Sequence, residues 1–210
     1  MPPKKRISSE DIVYAGIRVI DKEGIDGFNA RGIASELKCS TQPIFSNFVN
    51  MDDLREAVYQ KAKDIFNKKV EENIMENVSL LVMVLEYTNF ANTQKELYNF
   101  LFMNNRYDAP TLFNFLDKSN EELVNMVKEI TELNDANAKE LLNMMTYYVY
   151  GMATRLANRK TVLDEEKLKY YVLKGYLGLN RIMRESQGLT DSQEYIDNIK
   201  DTIYNYTFSE

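Results

Sequence analysis

Histidine and tryptophan are absent from this chain, cysteine occurs once, and glycine and proline contribute only eight and four of its 210 residues. Each scarcity excludes something. Without histidine there is no imidazole for general acid–base work or metal ligation, and the Ser–His and Cys–His nucleophile pairs are closed as well. Cys39, the single cysteine, rules out an intrachain disulfide and any multi-cysteine zinc site. It reads either as a small apolar residue packed in a turn or as a redox sensor. The glycines are scattered, so no phosphate-cradling loop is present and no cofactor is expected. Catalysis by carboxylates or lysine alone stays chemically open, but no pattern points to it. No apolar stretch reaches the ~20 residues that span a bilayer. Met1 to Arg6 leads into a polar cap instead of the apolar core of a signal peptide. The expectation is a cytoplasmic protein with no membrane partner and no enzymatic role.

What is present is a helical chain with a core. Hydrophobic residues make up 44% of it, and the few helix breakers point to an all-α fold. The net charge is −6, unevenly spread. Residues 1–50 hold seven cations (Lys4, Lys5, Arg6, Arg18, Lys22, Arg31, Lys38) against six anions, a balance of +1 that leaves −7 for the rest. Local charge steers encounter more than the total, because screening acts over about 8 Å at physiological salt.

Residues 29–50 are the most informative stretch. They predict two short helices joined by a tight turn. Ile33, Ala34 and Leu37 give the first an apolar side. Ser40 is placed to cap the second by accepting a backbone N–H, with Pro43 in its first turn, where the missing N–H costs nothing. Ile44 and Phe48, four apart, are expected inward, leaving Thr41, Gln42, Phe45, Ser46 and Asn47 outward. Upstream, Ser8 and Asp11 form a capping-box-like start. Ile12, Ala15, Gly16, Val19 and Ile20 follow as one apolar stripe, and Gly24 offers a stop. Downstream, Asn50 precedes Asp52 and Asp53, an N-cap with carboxylates at the favourable end of the helix dipole. A helix pair of this kind can push a polar-tipped second helix into the DNA major groove.

On these residues the first part of the chain, roughly 8–60, resembles the tetracycline-repressor (TetR) family of transcriptional regulators. Gly24, Gly27, Phe28 and Asn29 match its first turn, Ile33, Ala34 and Leu37 its second helix, and Ser40, Ile44, Phe45, Phe48, Asn50 and Leu54 the stretch beyond. Three positions depart. Lys38 stands where a turn glycine is usual and would need a positive φ; Phe45 replaces a frequent tyrosine; Met51 replaces a frequent lysine. The resemblance implies a three-helix helix-turn-helix DNA-binding head at 1–50, a connecting helix at 51–74, and an effector-binding and dimerisation domain at 75–210. For DNA it points to Thr41, Gln42 and Phe45 at base edges. Phosphate contacts would fall to Asn29, Arg31, Ser40 and Asn47, with Lys5 and Arg6 assisting, and Ser46 belongs to the same DNA-binding set. Ser40 and Asn29 read equally as plain helix caps, and Arg31 as half of an ion pair. Lys4, Lys5 and Arg6 read equally as a solvated terminus.

Beyond the head, a helix from Met51 to about Ile74 is expected to turn Leu54, Val58, Ala62, Ile65 and Phe66 inward. Further helices are expected near 77–92, 95–104, 111–132, 136–158, 165–186 and 190–206. Ligand pockets are lined by apolar and aromatic groups with a few polar ones. The family resemblance implies such a cavity among the middle helices, for which Phe90, Phe102, Met103, Tyr107, Phe113, Met144 and Tyr147 are the candidates. The alternative for each is an ordinary core or interface side chain. The helices near 136–158 and 165–186, the latter with Gly175 and Gly178, are the expected homodimer surface.

The functional expectation is a ligand-responsive regulator, a repressor binding a palindromic double-stranded DNA operator as a dimer and released by a small apolar or aromatic effector. The alternative is a helical small-molecule-binding protein or enzyme in which the N-terminal helix pair is only structural.

Overall fold

A computed structural model describes residues 7–76, 80–103 and 120–208. Among these residues the chain is all-helical, with no strand. The helices are α1 (Ser9–Gly27), α2 (Ala30–Glu36), α3 (Gln42–Asn47), α4 (Met51–Glu76), α5 (Leu80–Thr93), α6 (Lys95–Phe102), α7 (Asn120–Thr131), α8 (Asp135–Ala157), α9 (Glu165–Ser186) and α10 (Gln193–Tyr204). They group into two compact units, one drawn from residues 1–66 and 94–107 and the other from the remainder.

In the first unit, Ser8 Oγ accepts from Asp11 N at 3.1 Å while Ser8 N donates to the Asp11 carboxylate at 2.9 Å, so the reciprocal cap is formed. Ile12, Ala15, Gly16, Val19 and Ile20 are all buried. Gly24 breaks the helix with φ 70°, and one last turn follows to Gly27. Asn50 Oδ1 accepts from Asp52 N and Asp53 N at 2.9 and 2.8 Å, starting α4. Leu54, Val58, Ala62 and Phe66 line the inner side of α4. Ile65, expected beside them, is 44% exposed, because it precedes Phe66 by one residue and so falls off the four-residue stripe.

Helix α6 departs from the sequence-based division, which assigned it to the second domain. It packs on α1, and its aromatic residues complete the first unit's core. Phe100 meets Tyr59 edge-on at 6.0 Å, while Phe102 stacks on Tyr98 at 5.2 Å and meets Phe66 edge-on at 5.6 Å. Alternating burial of bulky rings outweighs chain order here.

In the second unit α8 is central, packing on α5, α7 and α9. Helix α5 is buried nearly all round, from Leu80 to Thr88 and again at Ala91 and Asn92. Asn92 exchanges two 2.8 Å hydrogen bonds with the backbone of Leu163, tying α5 to the α8–α9 loop. Side-chain caps from Asn134, Asp164 and Ser192 start α8, α9 and α10. Arg184, 4% exposed, binds Asp191 at 2.8 Å and the Thr190 carbonyl at 3.3 Å, and lies over the Tyr195 ring at 4.2 Å. It also reaches the Thr131 carbonyl and Glu132, joining the loops at both ends of this corner. Among the described residues no helix is long and apolar enough to cross a membrane.

Candidate nucleic-acid interface

Helix α2 ends in a Schellman motif: Cys39 N donates to Ala34 O at 3.0 Å and Lys38 N to Ser35 O at 3.1 Å. The motif needs a left-handed residue after the cap, and Lys38 supplies it with φ 52°. This turn delivers the chain into α3. Ile44 is 1% exposed and Phe48 9%, so the short helix is held by its apolar side. Gln42, Phe45, Ser46 and Asn47 are exposed along the other, Phe45 at 54%.

One detail of the turn differs from expectation. Ser40 does not cap α3. Thr41 occupies the cap position with helical angles (φ −72°, ψ −12°) and no side-chain hydrogen bond. Its carbonyl already accepts from Ile44 N and Phe45 N, so the helix starts without a hydroxyl acceptor and Ser40 stays exposed one residue outside.

The polar candidates divide by what their side chains touch. Asn29 Oδ1 accepts from Arg31 N and Gly32 N at 3.1 and 3.0 Å, so the capping alternative is the one formed. Ser46 Oγ and Asn47 Nδ2 donate back to the carbonyls of Gln42 and Pro43 at 2.9 and 2.7 Å. These are local bonds on an exposed surface, of a kind that exchanges readily with water or an external acceptor. Thr41 is half-buried beside exposed Gln42, and neither side chain makes a hydrogen bond among the described residues. Lys5 and Arg6 lie outside the described residues.

The charges follow a simple pattern. Glu36 accepts from Arg18 Nε at 2.7 Å and from Lys22 Nζ at 2.9 Å. The bonds from Lys22 and then Arg18 hold its carboxyl below the usual carboxylate range. Arg31 and Lys38, by contrast, make no ion pair among the described residues, so the ion-pair alternative for Arg31 is not formed there. Both are exposed, Lys38 in the turn before α3 and Arg31 at the start of α2. A groove beside α3 runs from Ile7 and Asp11 past Lys38 to Gln42, Ser46 and Asn47. Without Lys4, Lys5 and Arg6 the first fifty residues would hold four cations against six anions, so those three residues decide the sign of its charge.

Of the residues proposed for a ligand pocket, the described ones fall in both units. Phe102 is fully buried in the first unit against Tyr98 and Phe66, and Met103 follows it at the end of α6. Phe90 and Met144 are half-buried in the second unit, and Tyr147 on α8 is 79% exposed. Tyr107 and Phe113 lie outside the described residues. Tyr147 lines an open groove with Tyr148, Gly151, Arg155 and Tyr171, on the outer side of the α8–α9 pair. On α8, within the expected homodimer surface, the apolar residues Leu141, Leu142, Met145, Val149, Ala153, Leu156 and Ala157 are buried within the chain, and Met152 is half-buried. What α8 and α9 expose instead is Tyr147, Tyr150, Tyr170, Tyr171 and Ile182. Gly175 is filled from within the chain by the Tyr148 ring, whose Cε1 lies 2.2 Å from where a β-carbon would stand, whereas Gly151 and Gly178 face open space.

Comparison of the chain with protein-family models, with curated proteins and with solved structures finds no match.

Sequence reading missed a second cluster of chemistry. Glu86 on α5 and Lys169 on α9 are 2% and 6% exposed. The signal was available: Glu86 interrupts the apolar run from Leu80 to Tyr87. Lys169 and Arg184 fall in register with Val172, Tyr176 and Met183 on the buried side of α9. A charge in an apolar register position is either paired or functional.

Proposed function

We propose that this protein is a DNA-binding transcriptional regulator that acts as a homodimer. Its reading element would be the α2–turn–α3 pair, carried on a three-helix head. The observation that carries the reading is the two-sidedness of α3. Ile44 and Phe48 anchor it, while Gln42, Phe45, Ser46 and Asn47 face outward from a helix only six residues long. Phe45, 54% exposed, stands beside the amide of Gln42 and the hydroxyl of Ser46, a mixed apolar and polar face that suits the methyl groups and hydrogen-bonding edges of bases in the major groove.

The assigned roles follow from chemistry. Gln42 can donate and accept at once, which suits the N6 and N7 edge of adenine. Phe45 offers an apolar face to a thymine methyl group. Arg31 and Lys38, which make no ion pair among the described residues, would meet phosphates, with Ser46 and Asn47 turning from their own carbonyls to assist. Lys5 and Arg6 would add to the phosphate contacts. Two heads on one dimer would engage half-sites about 34–36 Å apart or a multiple of it. The outer side of α8 and α9, where Tyr147, Gly151, Gly178 and Ile182 are exposed, would form the dimer contact. A small apolar or aromatic effector would shift the spacing of the heads through its different affinity for the two states.

Selection from a random-sequence DNA pool with purified protein at moderate salt tests this directly. Enrichment of a palindrome with half-sites a helical turn or a multiple of it apart is the expected result. Bulk, salt-sensitive affinity with no enriched sequence would overturn the reading.

A further inference from the structure

Two buried charges in the second unit, Glu86 and Lys169, both meet one short piece of chain in addition to their other partners. The piece is residues 205–208, which follow α10 without helical structure. Tyr206 Oη donates to Oε1 of Glu86 on α5. The carbonyl of the same residue accepts from Nζ of Lys169 on α9, which also approaches the Tyr204 carbonyl at 3.5 Å and pairs with Glu165 at 2.5 Å. Phe208 closes the arrangement, edge-on to Tyr206 at 5.4 Å and with the Lys169 ammonium 5.6 Å from its ring centre.

Both charges belong to packed helices, and both are costly to bury unless hydrogen-bonded. The helices therefore hold an acceptor and a donor that a single tyrosine residue bridges, its phenol on the carboxylate and its carbonyl on the ammonium. A phenol donating to a carboxylate is a charge-assisted hydrogen bond and among the stronger ones available. Tyr206 itself is only half-buried, so the position it fills is open to solvent on one side.

We propose that Glu86 and Lys169 form a binding site for a small phenol bearing a carbonyl group, which the chain fills with its own Tyr206. An external ligand of that class displaces residues 205–208 from the helices. The site is thus read by competition between ligand and tail, and the state of the tail reports occupancy. This inference stands apart from DNA binding and does not depend on it.

The probe is N-acetyl-L-tyrosinamide, which carries the phenol and carbonyl of Tyr206, with N-acetyl-L-phenylalaninamide as the control lacking the hydroxyl. Full-length Tyr206→Ala is titrated with both by calorimetry. It binds the tyrosine compound saturably, at least about tenfold more tightly than the unsubstituted protein does, as expected for a hydrogen bond to a charged group. The preference over the phenylalanine compound is of similar size and shrinks in Tyr206→Ala combined with Glu86→Gln. A folded Tyr206→Ala protein with no saturable binding, or with no preference for the hydroxyl, overturns the proposal. A second measurement covers the case in which that variant does not fold. The chain has no tryptophan, so Phe208→Trp makes the tail the only indole. The tyrosine compound raises quenching of its emission by acrylamide and the phenylalanine compound does not. Unchanged quenching up to the solubility limit overturns the proposal equally.

Discussion

A β-carbon on Gly16 of α1 would lie 2.7 Å from Cγ2 of Val58 on α4 and 3.0 Å from the Phe28 ring. The two helices meet at that point because one of them carries no side chain there. Overpacking of this kind typically costs about 1–3 kcal/mol. Gly16→Ala is therefore expected to lower the urea midpoint by a corresponding amount. In combination with Val58→Ala its cost should be smaller, since the second change removes the opposing methyls.

Lys38 holds a left-handed backbone at φ 52° inside the Schellman motif that ends α2. At the end of α9 the same motif has Gly188, with φ 79°. A side chain in this region costs roughly 1–2 kcal/mol, and glycine returns part of that through greater freedom in the unfolded chain. Lys38→Gly should stabilise the protein by about 0.5–1 kcal/mol, and Lys38→Val should destabilise it. Thermal unfolding of the two variants gives shifts of opposite sign if the turn is as described. With DNA, Lys38→Gly should also flatten the salt dependence by about one phosphate contact.

Gln42→Ala is expected to weaken binding to a selected operator and to relax preference at one position per half-site by about 1–3 kcal/mol. Repeating the selection with the variant checks this. An identical enriched sequence would remove Gln42 from the base-reading set.

The outer face of α8 and α9 carries Tyr147 at 79% exposure and Ile182 at 54%. Tyr147→Glu with Ile182→Glu should turn a dimer into a monomer in sedimentation velocity without loss of helix content. A stable pairing buries upwards of about 1,000 Å², and two carboxylates within such a patch would be stranded. A protein that already sediments as a monomer at tens of micromolar would show that this face has another use.

Burial and then the bond to Glu86 push the Tyr206 phenol well above its ordinary value of 10.0. The docked tail therefore favours the neutral phenol. Its contribution is complete below the unfolded value and is lost only as pH rises beyond it, through the higher folded-state value. Acrylamide quenching of the Phe208→Trp reporter should stay low through neutral pH and rise only in strong alkali. In Tyr206→Phe that alkaline step should be missing, and quenching should be higher throughout.

Local pattern was enough for much of the architecture. Helical periodicity places Ile12, Ala15, Gly16, Val19 and Ile20 inside, and Ile44 and Phe48 beneath α3. The caps at Ser8 and Asn50 depend on groups three residues apart, and they form as the spacing predicts. The Ser40 cap failed on an equally local matter, because one extra helical residue at Thr41 moves the hydroxyl out of reach.

Side-chain chemistry in the first three helices, the all-helical fold and the absence of imidazole and thiol-pair chemistry were thus determined by sequence alone. They follow from residue type and from contacts within about one helical turn. Tertiary structure decided the rest. It set α6 against α1, packed Phe102 on Tyr98 and Phe66, and filled Gly175 with Tyr148. It also brought Glu86 to Tyr206, 120 residues away along the chain. Periodicity shows which side of a helix is buried but not which helix covers it, because that choice is made by long-range packing of complementary shapes and charges.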